Sequence, residues 1–221
     1  MNTKEKEQLL AYFLQYITEN KKQKIDRIIL NRTRHLTIVL EELYQSHNAS
    51  AVLRSAECFG VQDVYIVQNR NQFSAKGSVA MGASKWLSSQ SYGTMSGCCM
   101  ALKKAGYRIV ATVPHSDAQQ LHSFAVDKKF ALLFGTEEKG LTQEALQMAD
   151  EFVTIPMYGF TESFNVSVSV AICLHYLVEK IRASKIKWEL SERELLDLRL
   201  SWARAIIPCA AALEKKFKEL F

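Results

Sequence analysis

Apolar positions follow two rhythms along this chain, and the change from one to the other divides it. In the first segment Leu9, Leu10, Phe13, Leu14 and Ile17 recur at helical spacing, and Ile25, Ile28 and Ile29 repeat the pattern after Lys21-Lys22-Gln23-Lys24. That spacing predicts two short amphipathic helices. From Leu36 the texture becomes a series of short β-rich runs at 36–40, 61–67, 107–113, 130–134 and 152–155. Their continuous apolar character is that of parallel strands covered on both faces. Helical patterns lie between them, at 48–59 stopped by Gly60, at 97–105 stopped by Gly106, and at 142–148. Strand and helix in alternation predict an α/β fold with a parallel sheet.

A long helix is expected over about 165–181, and Ser191-Glu-Arg-Glu194 has the form of a capping box opening another. Pro208 should kink or interrupt that last helix, because it has no N–H to donate. No internal repeat or low-complexity tract marks a linker. The expected organisation is one α/β domain over 36–182, with helical extensions at 1–35 and 183–221.

Composition narrows the class. With 221 residues, 48% of them hydrophobic and 23% charged, the chain can build one good core. It has no apolar stretch of about 18 residues and no signal-peptide pattern, which predicts a cytoplasmic protein without a membrane span. Five cysteines (Cys58, Cys98, Cys99, Cys173 and Cys209) include no C-x-x-C pair. Buried reduced thiols are the expectation, and no metal. The net charge of +5 is uneven: residues 1–34 carry eight Lys and Arg against four Asp and Glu, residues 180–221 ten against six, and residues 35–179 ten against thirteen. Basic ends of this kind suit a large phosphate-bearing partner better than a small substrate.

The chain lacks G-x-G-x-x-G, the P-loop, G-x-S-x-G and H-E-x-x-H, and its histidines (His35, His47, His115, His122 and His175) have no ligand spacing. This argues against dinucleotide enzymes, P-loop NTPases, serine hydrolases and metalloproteases. What stands out are polar residues at three strand-to-helix junctions, the edge where open α/β sheets bind ligands. The first runs from His47-Asn48 to Arg54, where Asn48 can cap a helix and Arg54 follows almost two turns later. The second is Phe134-Gly135-Thr-Glu137-Glu-Lys-Gly140. The third is Ile155-Pro156-Met157, an irregular loop, then Ser163-Phe164-Asn165-Val-Ser167.

In order and spacing, these segments resemble the three motifs of the SpoU (TrmH) RNA ribose methyltransferases: N-x-x-A-x-x-R (Asn48, Ala51, Arg54), F-G-x-E-x-x-G (Phe134, Gly135, Glu137, Gly140), and I-P-M followed by S-x-N-V-S (Ser163, Asn165, Val166, Ser167). The resemblance spans roughly 36–181 and is closest to the tRNA branch. It implies a SPOUT fold, a mostly parallel sheet whose C-terminal part forms a deep trefoil knot, an exception among protein folds. It also implies S-adenosylmethionine as cofactor, held around Thr112, Gly135, Ile155 and Phe164, and a homodimer with its active site near the subunit interface.

The implied reaction is methyl transfer to a ribose 2′-hydroxyl, most simply of a D-loop guanosine in tRNA, with Arg54, Asn48, Glu137, Ser163 and Asn165 as the catalytic set. A guanidinium does not deprotonate in proteins, so Arg54 is expected to act as a fixed cation on the phosphate beside the target ribose and on developing alkoxide charge. The same chemistry on rRNA, or a catalytically silent RNA binder, are the alternatives. About 35 residues ahead of the domain are too few for the separate RNA-binding domain that rRNA enzymes of this type carry. Two departures stand in the third segment. Phe164 replaces a common Leu, and Tyr158-Gly-Phe-Thr-Glu162 replaces the Gly-Met-Val-Gln of many tRNA enzymes.

Overall fold

The computed structural model describes residues 1–42, 46–68, 82–114 and 117–220; His115 lies outside them. The chain divides into two compact units, one of Thr33–Trp188 and one of Met1–Arg32 together with Glu189–Phe221.

The larger unit is a seven-stranded sheet. Its strands are β1 (Leu36–Glu41), β2 (Asp63–Val67), β3 (Ser88–Tyr92), β4 (Arg108–Thr112), β5 (Gln119–Gln120), β6 (Phe130–Phe134) and β7 (Glu151–Thr154). They lie in the order β3-β2-β1-β6-β4-β7-β5, and every pairing is parallel. The helices are α3 (Ser46–Cys58), α4 (Met95–Lys104), α5 (Gln143–Met148) and α6 (Val166–Ala183).

Side-chain alternation along the strands sorts the core into two layers. Leu36, Ile38 and Leu40 of β1, with Leu132 and Phe134 of β6, pack with Val52 and Ala56 of α3 and with Val170, Cys173, Leu174 and Leu177 of α6. Val39, Ile109, Ala131 and Leu133 face the other way, toward Met95, Cys98, Cys99 and Leu102 of α4 and Ala145 of α5. The sheet is therefore sandwiched between helices, as burial of both its faces requires. Gly60 and Gly106 take φ of 77° and 86° just after α3 and α4, ending both helices at a conformation glycine adopts without strain.

Five of the seven strands and all four of these helices coincide with the apolar pattern. β3 and β5 do not. β3 reads Ser-Ser-Gln-Ser-Tyr and is mostly exposed at the sheet edge, and β5 is two glutamines, so neither carries an apolar run. The cysteine expectation also needs correction. Cys98, Cys99 and Cys173 are buried, but Cys58, the last residue of α3, and Cys209, immediately before the helix that starts at Ala210, are exposed at helix ends. Burial pushes the Cys98 thiol to about 12 and that of Cys99 to about 11, which keeps both protonated.

The smaller unit joins the two ends of the chain. It holds α1 (Thr3–Leu14), α2 (Glu19–Ile29), α7 (Glu192–Ile206) and α8 (Ala210–Leu220). Leu9, Phe13 and Ile17 pack with Leu200, Ala203, Ile207, Ala210 and Phe217. Lys6 pairs with Asp197 at 2.5 Å and Arg199 with Asp26 at 3.0 Å. The capping box is present, with Ser191 Oγ accepting from Glu194 N and the Glu194 carboxylate accepting from Ser191 N. α7 ends at Ile206, just before Pro208. No helix among the described residues is long and apolar enough to cross a membrane.

Candidate active site

β6, β4 and β7 are neighbours in the sheet, and the segments leaving their C-terminal ends build one cavity of about 490 Å³. The F-G-T-E-E-K-G segment is a tight loop whose ends are pinned together. Thr136 N donates to Gly140 O at 3.1 Å and Gly140 N to Thr136 O at 2.9 Å. Both glycines have a steric reason. Gly140 takes a φ of 65°, and a Cβ on Gly135 would lie 2.1 Å from the carbonyl carbon and oxygen of Gly140. The loop thus projects Glu137, Glu138 and Lys139 at its tip, and all three are exposed.

Behind the loop lies a carboxylate the motif reading missed. Glu41, buried at the end of β1, accepts from Thr142 N at 2.8 Å and from Thr142 Oγ1 at 2.6 Å. Thr142 also caps α5 through Ala145 N. An acid closing the apolar run Thr37-Ile-Val-Leu-Glu41 was the available signal.

Side chains from all three motifs converge at Glu137. Asn48 Nδ2 donates to Glu137 Oε1, and Asn165 Nδ2 donates to the same oxygen at 3.1 Å and to Asn48 Oδ1 at 3.3 Å. The Asn165 oxygen is turned the other way, accepting from Ser167 N at 2.9 Å and Ser167 Oγ at 2.5 Å. It thereby caps α6, which fixes which end of the amide faces Glu137. Asn48 does not cap its helix. It is the third residue of α3 and buried, and its amide is drawn to the carboxylate instead.

The cavity is lined by Thr112, Gly135, Glu137, Ile155, Ser163 and Phe164 among others. Thr112 gives its hydroxyl to Leu133 O at 2.7 Å, so it offers a ligand mainly backbone and methyl. Leu141, Leu146, Val153 and Met157 supply apolar wall, and Glu138 and Glu162 join Glu137 against the one cation Lys139. An acidic, half-apolar cavity of this size fits a nucleoside-bearing sulfonium. Cys173 also touches it, but burial pushes that thiol to about 12, so it is no nucleophile. No group of His, Cys, Asp and Glu among the described residues is arranged to hold a metal ion.

Arg54 is placed elsewhere. It is exposed on α3, about 9 Å along the axis and about 120° around it from Asn48 by helical geometry. It does not line the cavity.

The profile of the SpoU rRNA Methylase family matches residues 35–175. A tRNA (guanosine(18)-2′-O)-methyltransferase of Borreliella burgdorferi is 40% identical over 192 residues, 87% of this chain and 88% of the relative. The crystal structure of the A. aeolicus TrmH/SpoU tRNA modifying enzyme superposes with a TM-score of 0.76 at 24% identity, covering 86% of this chain and 98% of that one. The SpoU methyltransferase AviRb from Streptomyces viridochromogenes, solved in complex with the cofactor AdoMet, superposes with a TM-score of 0.59 at 21% identity over 72% of this chain and 62% of that one. With the profile spanning the sheet, α3 and the start of α6, and all three motifs meeting at one carboxylate, the chain belongs to the SpoU methylase family.

Proposed function

We propose that the protein is an S-adenosylmethionine-dependent RNA methyltransferase that modifies the ribose 2′-hydroxyl of a D-loop guanosine in cytoplasmic tRNA. The observation that carries the reading is the junction of Asn48, Glu137 and Asn165 beside a cavity lined by Thr112, Gly135, Ile155 and Phe164. The name of the 40% identical relative gives the nucleotide, and the AdoMet-bound neighbour supports the cofactor. Bound there, the cofactor supplies a methyl group on a sulfonium, electrophilic enough to need no metal.

The chain's own residues then have positioning to do. Gly135, Ile155 and Phe164 would hold the ligand, largely through backbone, and Glu137 would add an acidic side chain to the wall of the same cavity. Asn48 and Asn165 bond Glu137, and Ser163, on the cavity wall, contacts the target nucleotide. Correct alignment of acceptor and methyl is itself worth several orders of magnitude.

Arg54 stands away from the cavity of its own chain, which supports a homodimer in which Arg54 serves the other copy's site, clamping the phosphate next to the target ribose. β6 lies between β1 and β4, and β7 between β4 and β5. The chain thus returns into the sheet it has already built, a topology that supports the trefoil threading. The helical unit, with Lys21, Lys22 and Lys24 on α2, serves as an auxiliary phosphate-binding body.

The test supplies methyl-labelled S-adenosylmethionine with unmodified tRNA or with protein-free rRNA. Label entering tRNA in preference to rRNA supports the reading. Label confined to rRNA moves the substrate, and cofactor binding without transfer to either RNA leaves a silent RNA binder.

A further inference from the structure

Two aromatic rings stand free at the mouth of the cavity. Tyr158 is 95% and Phe160 107% exposed, in the irregular segment between β7 and α6. Isolated apolar side chains on a surface are ordinary, but two aromatic rings separated by one residue, both without cover, are not. Their setting is specific. Met157 on one side and Glu162, Ser163 and Phe164 on the other all line the cavity, so the segment carrying the rings is its rim. Gly159 between them adds no bulk, since a Cβ there would meet nothing nearer than Thr161 N at 4.0 Å. The exposed neighbours Thr161 and Glu162 make the patch too polar for a lipid or an extended apolar partner.

We infer that Tyr158 and Phe160 form a stacking platform for the base of the nucleotide whose ribose enters the cavity. The inference rests on the proposed RNA methyl transfer. An acceptor 2′-oxygen has to approach the transferred carbon to about 3–3.5 Å. A ribose so placed holds its base at the rim, which is where the rings stand. Single-stranded and loop nucleotides are recognised in this way, with the unstacked base laid on an aromatic face, and a purine offers the largest area. Tyr158 and Phe160 are positioning residues, acting on the base and not on the reacting atoms.

The test uses the full-length protein with tRNA. The double variant Tyr158→Ala/Phe160→Ala is expected to lose at least about tenfold in kcat/KM for tRNA, the range of one lost stacking contact. Its affinity for S-adenosylmethionine and its sedimentation should stay unchanged. The conservative pair Tyr158→Phe/Phe160→Tyr should stay within about twofold of the parent by the same reasoning, because the stacking faces remain. A Phe160→Trp variant should show emission that tRNA quenches beyond any change in the parent protein. Unaltered kinetics in the double alanine variant together with unquenched emission would overturn the inference. So would a shift of that variant to a slower-sedimenting species, which would assign the rings to contact with a second copy. If the parent transfers no methyl to tRNA while the Phe160→Trp emission is quenched, the reaction assignment fails and the platform stands.

Discussion

Asn165 shows how much one side chain can settle. Its oxygen caps α6 through Ser167 while its nitrogen reaches Glu137 and Asn48, so a helix start and the site junction depend on the same amide. Capping alone explains why a polar residue stands there; the bond to Glu137, 28 residues away, becomes visible only when the fold closes. Arg54 is the reverse case, singled out by its motif yet not among the residues that line its own chain's cavity. If its role is a planar clamp on phosphate, Arg54→Lys keeps the charge and loses the fork. Steady-state kinetics on tRNA should then show kcat reduced more than about tenfold, roughly 1.4 kcal/mol of barrier. Unchanged turnover would remove Arg54 from the mechanism. The motif residues were legible because each is polar at a strand-to-helix junction. Glu41 gave only the sign of an acid at the end of an apolar run, since its partner Thr142 lies 101 positions away and only tertiary structure joins them.

At the level of elements, the loop from Gly135 to Gly140 is the part of the site most tightly constrained by sterics. A methyl group on Gly135 collides with backbone, which cannot swing aside as a side-chain tip can. Gly135→Ala should therefore cost about 1–3 kcal/mol of stability, the usual range for overpacking. It should also displace Glu137 and abolish cofactor binding, measurable by thermal melting and calorimetry on the same sample. An Ala variant that melts and binds like the parent would show that the loop yields. The buried strands were readable because β1, β2 and β6 are covered along their whole length and so are mostly apolar, with Thr37, Glu41 and Asp63 as the buried polar exceptions. β3, on the sheet edge, has no such requirement, and its Ser-Gln-rich sequence gives no sign of pairing.

For the whole molecule, the charge pattern reads differently once the chain is folded. Lys180, Arg182, Lys185 and Lys187, part of the basic C-terminal stretch in the sequence, belong to the larger unit. The helical unit holds thirteen Lys and Arg against ten Asp and Glu. The basic character of the ends is therefore shared between the units, and linear segmentation could not show it.

Folding also creates a pH dependence. His35 is buried, its Nε2 lies 2.7 Å from Val126 O, and a carbonyl only accepts, so that nitrogen bears the proton. Burial holds the imidazole pKa below its ordinary value of 6.5. As pH drops below about 6.5 the unfolded chain gains a proton that the folded chain refuses. Stability present at neutral pH is thus lost until the folded pKa is passed. Urea midpoints should decline from pH 7 to pH 5.5, and His35→Gln, which can still donate to Val126 O, should show a shallower decline. Equal slopes would place the acid sensitivity elsewhere.

The reaction turns on one atom, the 2′-oxygen of the target ribose. The most direct measurement digests methyl-labelled tRNA to nucleosides and fragments the labelled species by mass spectrometry, after mapping its position with a base-specific nuclease. Ribose methylation of tRNA predicts a single labelled guanosine from the D-loop whose base fragment is unlabelled, the methyl remaining with the ribose. A labelled base fragment, or label on a nucleotide outside the D-loop, would contradict it.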